Sequence, residues 1–188
     1  GGFIAYVTYR CYLHSKELFL RWLTLFTVIY GMHGLFTRLS HDHLLSFALY
    51  GSTSRLVMAG CLLAGLITHG RQEPGHQVPT QYFWLAWLTA FAVIIGLVLW
   101  AANSPWAEPA VWLADVLAMG IMLSCALTII VRRIRSPLML VYVLSVIFFA
   151  QSSLAFLLSQ AWSHMFWLAH AIFAAGFMAL SYGVTQAF

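Results

Sequence analysis

The chain has 188 residues, 62% of them hydrophobic and only 7% charged, with a formal net charge of +4. A water-soluble domain is about a quarter charged, and nine Lys+Arg with five Asp+Glu cannot coat one of this size. A cytosolic enzyme, a nucleic-acid binder and a disordered segment are excluded, and the solvent for most of the surface is lipid.

A membrane crossing needs about 20 apolar residues. Such runs stand at roughly 17–38, 44–68, 80–102, 108–131, 136–159 and 164–187, with a shorter first run at 1–13. The first run reaches only about 20 Å at helical rise and reads as the inner end of a truncated helix. The expected fold is all-α: a polytopic membrane bundle of seven transmembrane helices, the first incomplete, forming one domain over 1–188. Pro74-Gly75, Pro79, Asn103-Ser104-Pro105 and Ser136-Pro137 punctuate the breaks. The chain opens on Gly1-Gly2 without an initiator Met and stops at Phe188 inside an apolar run, so further polypeptide is expected at both ends. Cys11, Cys61 and Cys125 are odd in number and far apart, which suits packing residues better than disulfides.

Loop charge sets the direction of crossing. Arg10, Lys16 and Arg21 flank the first connection, Arg71 the third, and Arg132, Arg133 and Arg135 the fifth. The alternate connections hold Arg38 with Asp42, then Glu108, then no formal charge. Positive charge stays on the cytoplasmic side, so the amino terminus is expected outside and the carboxyl terminus inside. Trp22, Trp84, Trp106, Trp112, Trp162 and Trp167 lie towards helix ends, as an interfacial aromatic belt requires.

Ionisable groups inside a bilayer are costly and mark candidate sites. Counting helical rise from the outer ends puts His33 about 7 Å deep, His170 about 9 Å and Asp115 about 10 Å, with Gln151 at about 13 Å and Arg55 at about 16 Å. His33, Asp115 and His170 therefore share one layer. The face of the second helix through His33 holds Phe26 and Tyr30, and that of the seventh through His170 holds Trp167 and Phe177. Ligand contacts are expected from His33, Arg55, Asp115, Gln151, His170, Tyr30 and Trp167. Two imidazoles and a carboxylate, His33, Asp115 and His170, are also a candidate transition-metal site, and Met32, Met119 and Met122 nearby favour copper. Alternatively His33 and His170 are axial ligands of a b-type haem, or the groups bind an organic signal without a cofactor. Neutralising Arg55 is the alternative role for Asp115. The only lysine is Lys16, at a loop, so no Schiff-base lysine for retinal exists. No Cys-x-x-Cys-His, His-Glu-x-x-His or P-loop occurs.

Seven short-looped helices running from outside to inside resemble the membrane-integrated sensory modules of bacterial histidine kinases and diguanylate cyclases, of the MASE and seven-helix receptor types. The segments Gly31–Thr37, Tyr50–Leu56, Trp167–His170 and Ser181–Val184 carry the resemblance. Met32-His33 is also similar to the start of the Met-His-Tyr-Thr motif of MHYT sensory domains, for which copper binding near the outer face is proposed. Here Gly34 and Leu35 stand where that motif has Tyr and Thr. The resemblance implies a sensory input domain in a bacterial inner membrane, not itself an enzyme, with a kinase or cyclase output domain after Phe188 through which the chains form a homodimer. Its partners are then the lipid bilayer and a small-molecule or metal signal, relayed through the seventh helix, with no nucleic acid. The alternatives are a membrane electron-transfer protein with haem on His33 and His170, and a small transporter or subunit of a membrane complex.

Overall fold

The computed structural model describes residues 2–39, 44–72, 80–134 and 136–187, except for the side chains of 3, 33–39, 44 and 80. These residues form seven α-helices: α1 (Gly2–Ser15), α2 (Leu18–Leu39), α3 (Leu44–Thr68), α4 (Thr80–Ala102), α5 (Ala107–Val131), α6 (Pro137–Leu158) and α7 (His164–Ala187). Each boundary falls within two residues of the hydropathy runs. The five helices α3 to α7 are long and apolar enough to cross a membrane, while the apolar stretch Leu18–Met32 of α2 is shorter. The chain is thus an all-helical, multi-pass membrane protein. Asp42, Arg135 and the Pro74-Gly75 turn, all used in the sequence reading, lie outside the described residues.

Helices suit this chain because a backbone in hydrocarbon must satisfy its own N–H and C=O groups. Polar side chains appear where a helix begins. Ser136 Oγ accepts from Met139 N–H at 3.2 Å, with Pro137 at the first helical position of α6, a favoured start. Ser163 Oγ accepts from Phe166 N–H at 3.3 Å at the head of α7.

The helices associate through close packing and a few interhelical hydrogen bonds, the means available when the solvent is itself apolar. The most extensive contact is between α6 and α7. Two glycines of α7 make it possible: a Cβ on Gly176 would lie 2.8 Å from the Phe149 ring, and one on Gly183 would lie 2.9 Å from Val141. Ser152 on α6 donates to the Ala169 carbonyl of α7 at 2.9 Å, and Tyr142 on α6 donates to the Leu62 carbonyl of α3 at 2.7 Å. Where α2 meets this pair, Phe26 stacks on Phe177 at 5.0 Å and Tyr30 on Phe173 at 5.3 Å. Helix α4 lies at the rim. It rests on α3 and meets α1 and α2 through Trp84 against Tyr9 (5.7 Å) and Phe83 against Trp22 (5.8 Å).

The α1–α2 turn is tied to the end of α3, because Leu18 N–H donates to the Arg71 carbonyl at 3.1 Å and Glu17 pairs with Gln72. Lys16, Arg21 and Arg71 therefore gather at one end of the bundle. Arg21 places its guanidinium 4.0 Å over the Phe83 ring there, a cation–π contact at the site of an aromatic belt. The starts of α3 and α5 and the α6–α7 turn form the other end.

The glycine seam has a direct consequence. Gly176→Ala is expected to cost about 1–3 kcal/mol by overpacking against Phe149 and to lower the thermal midpoint of the detergent-solubilised chain by several degrees. Gly120→Ala, where nothing lies within 4 Å of the new methyl, is expected to leave the midpoint unchanged or raise it slightly, since alanine favours the helix.

Candidate functional site

Helix α3 carries Ser52 and Arg55 three residues apart, hence on one face. That face meets α5 at Asp115, which lies on the buried stripe with Ala114, Ala118 and Met122. Arg55 Nε donates to Asp115 Oδ1 at 2.8 Å, and Arg55 Nη2 donates to Oδ2 at 3.0 Å. The pairing is bidentate, the geometry in which a planar guanidinium fits a carboxylate best. Ser52 Oγ completes it, donating to Oδ2 at 2.8 Å while accepting from Arg55 Nη2 at 3.2 Å. The Arg55 and Asp115 side chains are 11% and 3% exposed. The guanidinium also lies 4.2 Å over the Phe156 ring of α6. Of the expectations held for Asp115, the structure places it against Arg55.

The pair forms the floor of a cavity of about 600 Å³ at the end of the bundle where α3 and α5 begin. Its walls come from Phe47 and Ala48 of α3, Glu108 and Trp112 of α5, Phe156 of α6 and Phe166 of α7. Glu108, Trp112 and Asp115 follow the i, i+4, i+7 spacing of one helix face. Helical rise over those seven residues makes the cavity about 10 Å deep from mouth to floor. At the α6–α7 turn Trp162 has φ of 65°, a left-handed conformation unusual outside glycine. That turn sets its ring against Phe47 (6.0 Å) and Phe166 (5.5 Å).

On the far side of Arg55 and Phe156 is a small void of about 30 Å³ lined by Tyr30, Met58, His170 and Phe173, room for about one water. His170 Nδ1 lies 2.9 Å from the Phe166 carbonyl, and because a carbonyl oxygen only accepts, this nitrogen is the donor. The ring packs against Phe166 (4.5 Å), Phe156 (4.8 Å) and Trp167 (5.9 Å). No family model, curated protein or solved structure matches the chain.

The expected site residues are thus distributed as follows. Arg55 and Asp115 are bonded to each other, Arg55 also lines the small void with Tyr30 and His170, and Phe156 connects the two groups. Gln151 is exposed on α6, Trp167 is exposed on α7, and neither lines either space. The side chain of His33 lies outside the described residues. Among the described residues no three His, Cys, Asp or Glu side chains come together as a metal site. Asp115 accepts three hydrogen bonds, two of them from Arg55. Ser52, Glu108, Phe156 and Phe166 were not expected at the site. Ser52 had a signal, its i−3 spacing from Arg55, and α3 runs unbroken through both residues.

Removing one partner of a buried pair leaves an uncompensated charge at a cost of about 3–5 kcal/mol. Arg55→Met and Asp115→Leu are each expected to destabilise the chain by about that much. The double variant should recover most of the loss. Thermal unfolding of the four proteins in detergent gives the coupling; additive losses would show that the pair does not form.

Proposed function

We propose that the chain is a membrane-embedded sensory input domain of a bacterial signalling protein, of the histidine-kinase or diguanylate-cyclase type. It sits in the cytoplasmic membrane with the amino terminus outside and the carboxyl terminus inside, and the cavity faces outward. A small molecule binds there, and the change is relayed through α7 to an output domain that pairs two chains. The domain itself performs no chemistry.

The observation that carries this reading is the cavity above the Arg55–Asp115 pair. Its volume falls in the range of about 300–1,000 Å³ typical of small-ligand sites, and like them it is mostly apolar with a few convergent polar groups. Direction is supported by Lys16, Arg21 and Arg71 at the end opposite the cavity, the side that positive charge marks as cytoplasmic. Relay is supported by continuity. Arg55 touches the cavity and stacks on Phe156, Phe156 meets His170 edge-on, and His170 belongs to α7. A ligand acts on such a chain only if it favours one arrangement of α7 over another.

Cysteine labelling tests the orientation on which this depends. In a Cys11→Ser background (Cys61 and Cys125 are buried), an impermeant maleimide added to intact bacterial spheroplasts is expected to label Ala161→Cys at the cavity mouth. It should reach Arg132→Cys only after permeabilisation. The reverse pattern would place the cavity on the cytoplasmic side and contradict an outward-facing receptor.

A further inference from the structure

The walls of the cavity select a ligand charge, an inference that rests on the cavity being a ligand site. Among the charged groups that line it, Arg55 contributes +1 and Asp115 and Glu108 contribute −1 each, leaving −1 in all. The single positive charge is not free. Arg55 commits Nε and Nη2 to Asp115 and lays its face on Phe156. An anion entering to take the guanidinium would compete with Asp115 and leave that buried carboxylate without its partner, the costly outcome for a charge of low exposure. Anions are therefore disfavoured.

Glu108 is the opposite case. It stands exposed in the first turn of α5 at the cavity mouth. No hydrogen bond or ion pair holds it among the described residues. One turn below it is Trp112, and across the cavity are Phe47, Phe156 and Phe166. Aromatic faces attract cations, tryptophan most strongly, and cages of them recognise substituted ammonium groups. The cavity already displays that attraction, since Phe156 carries the Arg55 guanidinium at 4.2 Å.

We propose that the cavity binds organic ammonium ions, amines or quaternary ammonium groups attached to an apolar body, with Glu108 as the counter-charge and Trp112 and the phenylalanines as the wall. The same chemistry is presented by a free amine and by the choline or ethanolamine headgroup of a phospholipid.

Three probes of similar shape separate charge from fit: benzyltrimethylammonium, its uncharged carbon isostere neopentylbenzene, and the anion 4-tert-butylbenzoate. Binding to the full chain in maltoside detergent is read by tryptophan fluorescence and calorimetry. The cation is expected to bind at least tenfold more tightly than the isostere, with no binding of the anion. Glu108→Gln should weaken the cation about tenfold without affecting the isostere. Equal binding of cation and isostere, or a cation affinity unmoved by Glu108→Gln, would overturn the ammonium assignment while leaving the cavity a ligand site. Failure of all three probes would overturn the ligand site as well. Glu108→Gln is exposed and makes no described contact, so folding is not at stake. Repeating the titration in nanodiscs identifies the source. Loss of cation binding in phosphatidylcholine but not in phosphatidylglycerol assigns the site to a lipid headgroup, and binding retained in both assigns it to a free amine; either supports the ammonium class.

Discussion

A guanidinium and a carboxylate buried in a bundle whose outer surface is hydrocarbon must find each other, and the Arg55–Asp115 pair fixes much of the structure around it. It sets the register of α3 against α5, because a slip of one residue on either helix would turn a charge towards lipid. Ser52 is drawn in as the third member, both donor and acceptor, so that Asp115 Oδ2 accepts two bonds while Arg55 Nη2 makes two. Phe156 is placed by the same group, its ring covering the guanidinium from the side of α6. Three helices thus converge on one charge pair, and the space above it is the cavity.

The bundle beneath the pair is held differently. From Gly176 to Gly183 the α6–α7 seam has no charge and depends on backbone approach, with Phe149 and Val141 filling the places that larger residues on α7 would occupy. The aromatic stack of Phe26, Tyr30, Phe173 and Phe177 brings α2 to that seam. Helix α7 therefore touches the surroundings of the polar site near its beginning, through Phe166 and His170, and the tightly packed seam further along. A rearrangement at Phe156 or Arg55 has a route into α7.

The helices were legible in the sequence because a bilayer makes a simple demand: long apolar runs broken by Gly, Pro and Asn become helices, and the observed boundaries follow those runs closely. Position along each helix was legible for the same reason, since each residue advances the helix by a fixed rise. Rotation about the helix axis was not. His170 and Asp115 were read at one depth, yet Asp115 lies on the buried face of α5 and His170 lies one position after buried Ala169 on α7, with its ring turned to Phe166 and Trp167. Gln151, deep by the same count, faces outward. Nearly uniform apolarity around each helix hides which side is buried, because lipid and protein interior select similar residues. Phe156 and Glu108 were missed for a related reason: an aromatic in an apolar run and a carboxylate at a helix end look ordinary until neighbouring helices are placed.

Everything above depends on Asp115 being a carboxylate bound to Arg55. The chain contains two aspartates, Asp42 and Asp115, so an Asp42→Asn protein with 13C-labelled aspartate and 15N-labelled arginine gives a single carboxyl signal. Solid-state NMR of that protein in lipid should show the signal at an ionised-carboxylate shift, with dipolar contact to one arginine Nε and a terminal nitrogen, and Arg55→Met should abolish the contact. A protonated carboxyl signal, or an ionised one without contact to any arginine, would contradict the pairing.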